Sequence, residues 1–164
     1  MMLDPVSWCE WLQDSSAATS IRESVWIFPA IETLHLFALI AVVGSSALLD
    51  IRLLGLGLKS HSVSKLAGRT LPWALWGFAV MCLTGFSLFA SGAARYYDNF
   101  PLRLKVLMIT LAGANALVFH FMSYRSVSVW ENDANTPLAA KAAGLISILL
   151  WFGIVIAGRC IAYF

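Results

Sequence analysis

The sequence predicts an all-α integral membrane protein: an up-down-up-down four-helix bundle preceded by a short interfacial helix at the amino terminus. Three observations carry this. Of 164 residues, 60% are hydrophobic and 12% charged, about half the charged share of a soluble domain. The mean hydropathy is +0.78, so apolar side chains must face lipid. The apolar residues also gather into four stretches, each near the ~20 residues that a bilayer needs.

Taken in order, residues 1–20 read MMLDPVSWCEWLQDSSAATS. They lack the basic start and continuous apolar core of a signal peptide. Asp4 before Pro5 is a helix start. Trp8, Trp11 and Leu12 then share one face, with Glu10 and Asp14 away from it, which is the pattern of a helix lying in the membrane interface. Residues 21–164 form the bundle, with spans at about 25–49, 71–90, 106–124 and 139–162. Pro101 and Pro137 are placed to open the third and fourth helices. Trp26, Trp73, Trp130, Tyr96, Tyr97 and Tyr163 fall near span ends, where an aromatic belt sits. The connections are short, so neighbouring spans run antiparallel. Ala112, Gly113 and Ala116 in the third span, and Ala140, Gly144, Gly153 and Gly158 in the fourth, suit close helix approach.

The net charge of +2 is dispersed. No basic block points to nucleic acid; the first expected partner is the lipid bilayer. Cys9, Cys82 and Cys160 are too few for a disulfide framework or a Cys-based metal site, although Cys9 and Cys160 can share one side of the membrane and bond there. Arg52, Lys59, Lys65, Arg69, Arg125 and Lys141 lie in the first and third connections. These six of the eleven basic residues put those connections in the cytoplasm and both termini outside.

Few ionisable groups lie within the spans, and their identities bound the chemistry. Glu32 and His35 stand three residues apart on one face of the first span, and His120 lies near the far end of the third. One Glu-x-x-His element does not make a di-iron site. No carboxylate is placed for a Ser/His/Asp triad, and no glycine-rich phosphate loop is present. Imidazole is a common axial ligand of haem iron. Facing helices can place His35 and His120 on opposite faces of one haem b, with Gly113 and Ala116 on the His120 face leaving room for the macrocycle. Glu32 would then orient the imidazole of His35, and Arg52, Arg69 or Arg159 would pair with propionates. Depth permits this from one end: His35 is 12 residues past Glu23 and His120 is 15 past Lys105, a difference of about 4.5 Å of rise. From the other end His35 is 15 residues before Asp50 and His120 is 5 before Arg125, a difference of roughly 15 Å. His61, in the first connection, is an alternative metal ligand, and a histidine simply hydrogen-bonded inside the bundle is the bland alternative for each.

The stretches ETLHLFALIAVVGSSALLDIRLLGL, RTLPWALWGF and NFPLRLKVLMITLAGANALVFH together resemble an uncharacterised bacterial family of small four-helix inner-membrane proteins. The likeness covers roughly residues 24–160. It implies the fold, a bacterial inner-membrane location, and His35, Asp50, Arg52, Asn115 and His120 as motif positions. The architecture is also similar to small membrane b-type cytochromes, without their paired histidines on one helix. The expected function is electron transfer by a b-type cytochrome-like protein or subunit, between a quinone or membrane complex and a periplasmic partner. The alternative is a non-catalytic accessory subunit of a larger respiratory or photosynthetic complex. A small permease is a third and weaker expectation, because four spans with two histidines and one carboxylate offer little pathway.

Overall fold

The computed structural model describes residues 4–131 and 136–164; residues 132–135 of the third connection lie outside the described residues. Two short helices come first, α1 (Pro5–Gln13) and α2 (Ser16–Glu23). The long helices follow: α3 (Ile27–Leu54), α4 (Val63–Ala90), α6 (Phe100–Val118) and α8 (Leu138–Cys160), with short α5 (Ala93–Tyr97) and α7 (Val127–Trp130) between them. Among the described residues, four helices are long and apolar enough to cross a membrane, counting the continuation of α6 through Met122.

Local chemistry sets the ends. Asp4 accepts a hydrogen bond from the Val6 amide ahead of Pro5, and Ser15 accepts one from Ala18 to start α2. The expected single interfacial helix is therefore two, because Ser15 caps a second start. Asn99 accepts from the Leu102 amide and Pro101 occupies the first turn of α6, satisfying one of the orphan donors of a helix start. α3 ends at Gly55, whose φ of +74° is left-handed, a conformation that glycine adopts without a Cβ penalty.

The first connection is much shorter than the sequence suggests. It runs from 55 to 62, because α3 continues past Asp50 and Arg52, and α4 begins at Val63, eight residues before the expected start near 71. Charges read as a span boundary are absorbed instead: Arg52 is buried, its Nε donating to the His61 carbonyl at 2.8 Å and its Nη2 to the Glu131 carbonyl at 2.9 Å. Ser64 donates to the Glu131 carboxylate through both its amide and its hydroxyl. Those Ser64 hydrogen bonds hold the Glu131 carboxyl below its ordinary pKa. Trp130, expected in the aromatic belt, is buried in a cluster with Leu53, Val63 and Ala140. This end of the bundle is thus closed by packing beneath a polar clasp.

The helices pack in the spatial order α4, α3, α8, α6, while α4 and α6 share no comparable interface. Glycines make the close approaches. A Cβ on Gly77 of α4 would lie 2.9 Å from Val42 Cγ2 and 3.0 Å from the Ala38 carbonyl oxygen of α3. On Gly144 of α8 it would lie 3.2 Å from the Asp50 carbonyl oxygen. Gly153 abuts Met108, and Asn115 of α6 donates to the Ala143 carbonyl of α8 at 2.9 Å. Gly113 and Ala116, by contrast, are exposed on the outer face of α6.

At the opposite end the amino-terminal helices are tied to the bundle. Arg22 donates to the Gln13 and Ser91 carbonyls, and Gln13 accepts from the Ala94 amide. Asn99 donates to the Ile161 carbonyl, so the chain's two ends lie at the same end of the bundle. Reporter fusions after Tyr97 and after Phe164 are therefore expected on one side of the membrane and a fusion at Ser60 on the other. An alkaline phosphatase and fluorescent-protein pair at each position checks this; opposite sides for Tyr97 and Phe164 would break the four-span topology.

Candidate functional site

His35 is held by α4 rather than by its own helix. It lies eight residues into α3, half-buried, with Nδ1 2.9 Å from Thr84 Oγ1. Threonine in a membrane helix returns its own proton to the preceding turn, and Thr84 does so, donating to the Val80 carbonyl at 2.7 Å. With that proton placed on the Val80 carbonyl, the Thr84 oxygen is able to accept from Nδ1, and the Met81 backbone is a further hydrogen-bond partner of the ring. Gly85, next to Thr84, leaves the ring its room: a Cβ there would lie 3.2 Å from Cε1. The ring is thus held between α3 and α4 by a polar contact inside the apolar span.

Glu32 does not provide that orientation. Although it is one turn from His35, it is exposed on the outer face of α3, and Thr84 holds the imidazole instead. The sequence gives one faint signal for Thr84, a hydroxyl beside a glycine within an apolar span.

Lys105 is a second group that sequence reading passes over. It belongs to α6, is half-buried, and lies within electrostatic reach of His35. Its stem and ammonium run along α8 where Gly158 lacks a side chain; a Cβ there would lie 3.5 Å from Nζ. Among the described residues the only salt bridge joins Arg103 to Asp98, so Lys105 has no carboxylate partner there. His35 touches α4, whereas the Lys105 ammonium lies against α8 at Gly158.

The structure does not bring His35 and His120 together. His120 lies 15 residues beyond Lys105 on the same continuing helix, on the order of 20 Å farther along the bundle. It is exposed, in a π-helical turn (Phe119–Ser123), with its ring stacked on Tyr124 at 5.5 Å. Gly113, Ala116 and His120 do share one face, as their spacing requires, but that face points outward. His61 is exposed in the first connection, its Nδ1 beside Ser60 Oγ. Among the described residues no three His, Cys, Asp or Glu side chains gather to hold a metal ion, and the three cysteines are free. Asp50 is buried against α8 with the Ser147 side chain as a hydrogen-bond neighbour of its carboxyl, and among the described residues its Oδ2 meets no donor.

Fold and site together define a small multi-pass membrane protein with polar groups inside its helices. Residues 18–164 match a family described as a family of unknown function, DUF6644, and the chain belongs to it. Neither a curated protein nor a solved structure matches it.

Proposed function

We propose that the protein is a membrane-embedded electron-transfer protein or subunit of the b-type cytochrome kind, which holds haem b through Nε2 of His35. The observation that supports this is an imidazole within an apolar span, half-buried and oriented by the Thr84 hydroxyl 2.9 Å from its Nδ1. Bound haem supplies a ferrous–ferric couple; the chain supplies the ligand, its orientation, and an apolar surround that keeps water away. In this reading His120 does not ligate the same haem, and a quinone or another membrane complex exchanges the electron.

A second reading has its own observation. Gly113, Ala116 and His120 form an outward strip on α6, and an imidazole facing lipid is costly. A neighbouring subunit seated on that strip would remove the cost and make the chain an accessory subunit of a larger complex.

Spectroscopy of the protein purified from cells supplied with haem precursor tests the first reading. The wild type is expected to show a reduced-minus-oxidised α-band, His35→Ala to lose it, and His120→Ala to keep it. A colourless wild type, or a band that survives His35→Ala, would sink the proposal. Co-purification after mild solubilisation tests the second: a defined partner lost in His120→Ala supports it, and a lone monomer in both counts against it.

A further inference from the structure

We infer that Asp50 is a proton-binding site: the chain holds its side chain as the neutral acid in the seam between α3 and α8, and the proton leaves only when that seam opens. The site is separate from His35 and stands whatever His35 binds. Asp50 is 5% exposed, and among the described residues its Oδ2 meets no donor and is shut off from solvent. An ionised carboxylate has only acceptor positions to fill, whereas the protonated acid turns one oxygen into a donor. Burying the ionised form without a partner is so costly that the group takes up a proton instead.

The neighbours supply a hydroxyl and no cation. Ser147 of α8 is the hydrogen-bond neighbour of the carboxyl, and a hydroxyl, which both donates and accepts, suits the neutral acid. Arg52 is only two residues along α3, a spacing at which helical side chains do not face each other, and its guanidinium is spent on the His61 and Glu131 carbonyls. On α8, Lys141 is half-buried one turn before Gly144; Lys65 and Arg69 of α4 are exposed, as are Lys59 and His61 of the first connection. Glu131, beside α7, is occupied by Ser64. Arg22 and Glu23 of α2 belong to the opposite end of the bundle. Among the described residues none of these forms a salt bridge with Asp50.

Packing decides which cation the carboxyl takes. α8 touches α3 at this residue: a Cβ on Gly144 would lie 3.2 Å from the Asp50 carbonyl oxygen and 3.5 Å from its Cα. Leu53, Val63, Trp130 and Ala140 form a buried apolar cluster at the same end. A metal ion needs several oxygen ligands gathered around it, whereas a proton needs one. Losing that proton breaks the carboxyl O–H bond and leaves a bare charge in the seam. α3 and α8 must therefore part far enough to admit the water that accepts the proton. Proton exchange at Asp50 is thereby tied to loosening of the bundle end that the Arg52 clasp closes.

Infrared spectroscopy of the purified protein in micelles at neutral pH is expected to show the C=O band of a protonated carboxyl that shifts on deuteration. Asp50→Asn should remove the band, and Ser147→Ala should keep it but move it to higher frequency, as a hydrogen bond is lost. Unfolding measured across pH gives a second readout. The fold prefers the acid, so its stability is full at low pH and is lost as the pH rises through the titration of Asp50. There the wild-type unfolding constant should grow roughly tenfold per pH unit relative to that of Asp50→Asn, which stays neutral. Absence of the band from the wild type, or its survival in Asp50→Asn, would overturn the inference, and so would an Asp50→Asn protein less stable than wild type at high pH. A band abolished by sodium ions, with stability rising alongside, would make Asp50 a metal-cation site and overturn it equally. Should Asp50→Asn not fold, the wild-type band and its shift in Ser147→Ala decide alone.

Discussion

Arg52→Ala is expected to be among the most destabilising single substitutions in the chain, by about 3 kcal/mol. Two hydrogen bonds from a buried guanidinium to the His61 and Glu131 carbonyls would be lost, each worth roughly 1.5 kcal/mol or more when the donor is charged. The damage is concentrated, because these bonds join the end of α3 to the first connection and to α7. Arg52→Lys should recover little, since one ammonium cannot reproduce the two directions of the planar fork. Reversible unfolding in mixed micelles, followed by tryptophan fluorescence, measures both. A change below about 1 kcal/mol, the scale of a surface contact, would show that the clasp is not a structural tie.

Gly77→Val should be as severe for a different reason. Its first added carbon would already sit 2.9 Å from Val42 Cγ2 and 3.0 Å from a backbone carbonyl oxygen of α3. Neither the backbone of α3 nor the Cβ of Ala41 at 3.1 Å can swing away. Overpacking of this kind costs typically 1–3 kcal/mol, and here the α3–α4 helix pair must separate to relieve it. Gly44→Val and Gly113→Val serve as controls, because a Cβ at either position meets nothing within 4 Å. Equal loss of folded protein in all three would mean that valine itself, rather than the contact, is at fault.

Much of the fold is legible in the residues because lipid demands long apolar helices and permits little else. The number of spans and the caps at Asp4–Pro5 and Asn99–Pro101 follow from that demand and from short-range chemistry. The end of α3 does not. Asp50 and Arg52 look like a membrane border until their partners on α7, α8 and the first connection are known, and those partners are remote in sequence. The facing of α6 was equally hidden. Gly113, Ala116 and His120 share a helical face whichever way the helix turns, and with apolar residues on all sides nothing local says which face meets lipid. His35 is recognisable as an ionisable group in a span, whereas Thr84 acquires meaning only when α4 is placed beside it. Lys105 marks a boundary on hydropathy and a half-buried group in space.

The spatial order α4, α3, α8, α6 also constrains how the protein is made. α3 and α4 are neighbours in both sequence and space, so they can pair as soon as the second emerges from the ribosome. α6 is synthesised third but seats mainly against α8, which is synthesised last. The latch from Arg22 to Ser91 and from Gln13 to Ala94 cannot close until α4 has returned across the bilayer. Biogenesis is therefore expected to pass through a stage with a finished helical hairpin and an unaccompanied third helix. Lys105 and His120 are then at their most exposed to the insertion machinery, and a ribosome stalled before Leu138 would leave α6 to quality control.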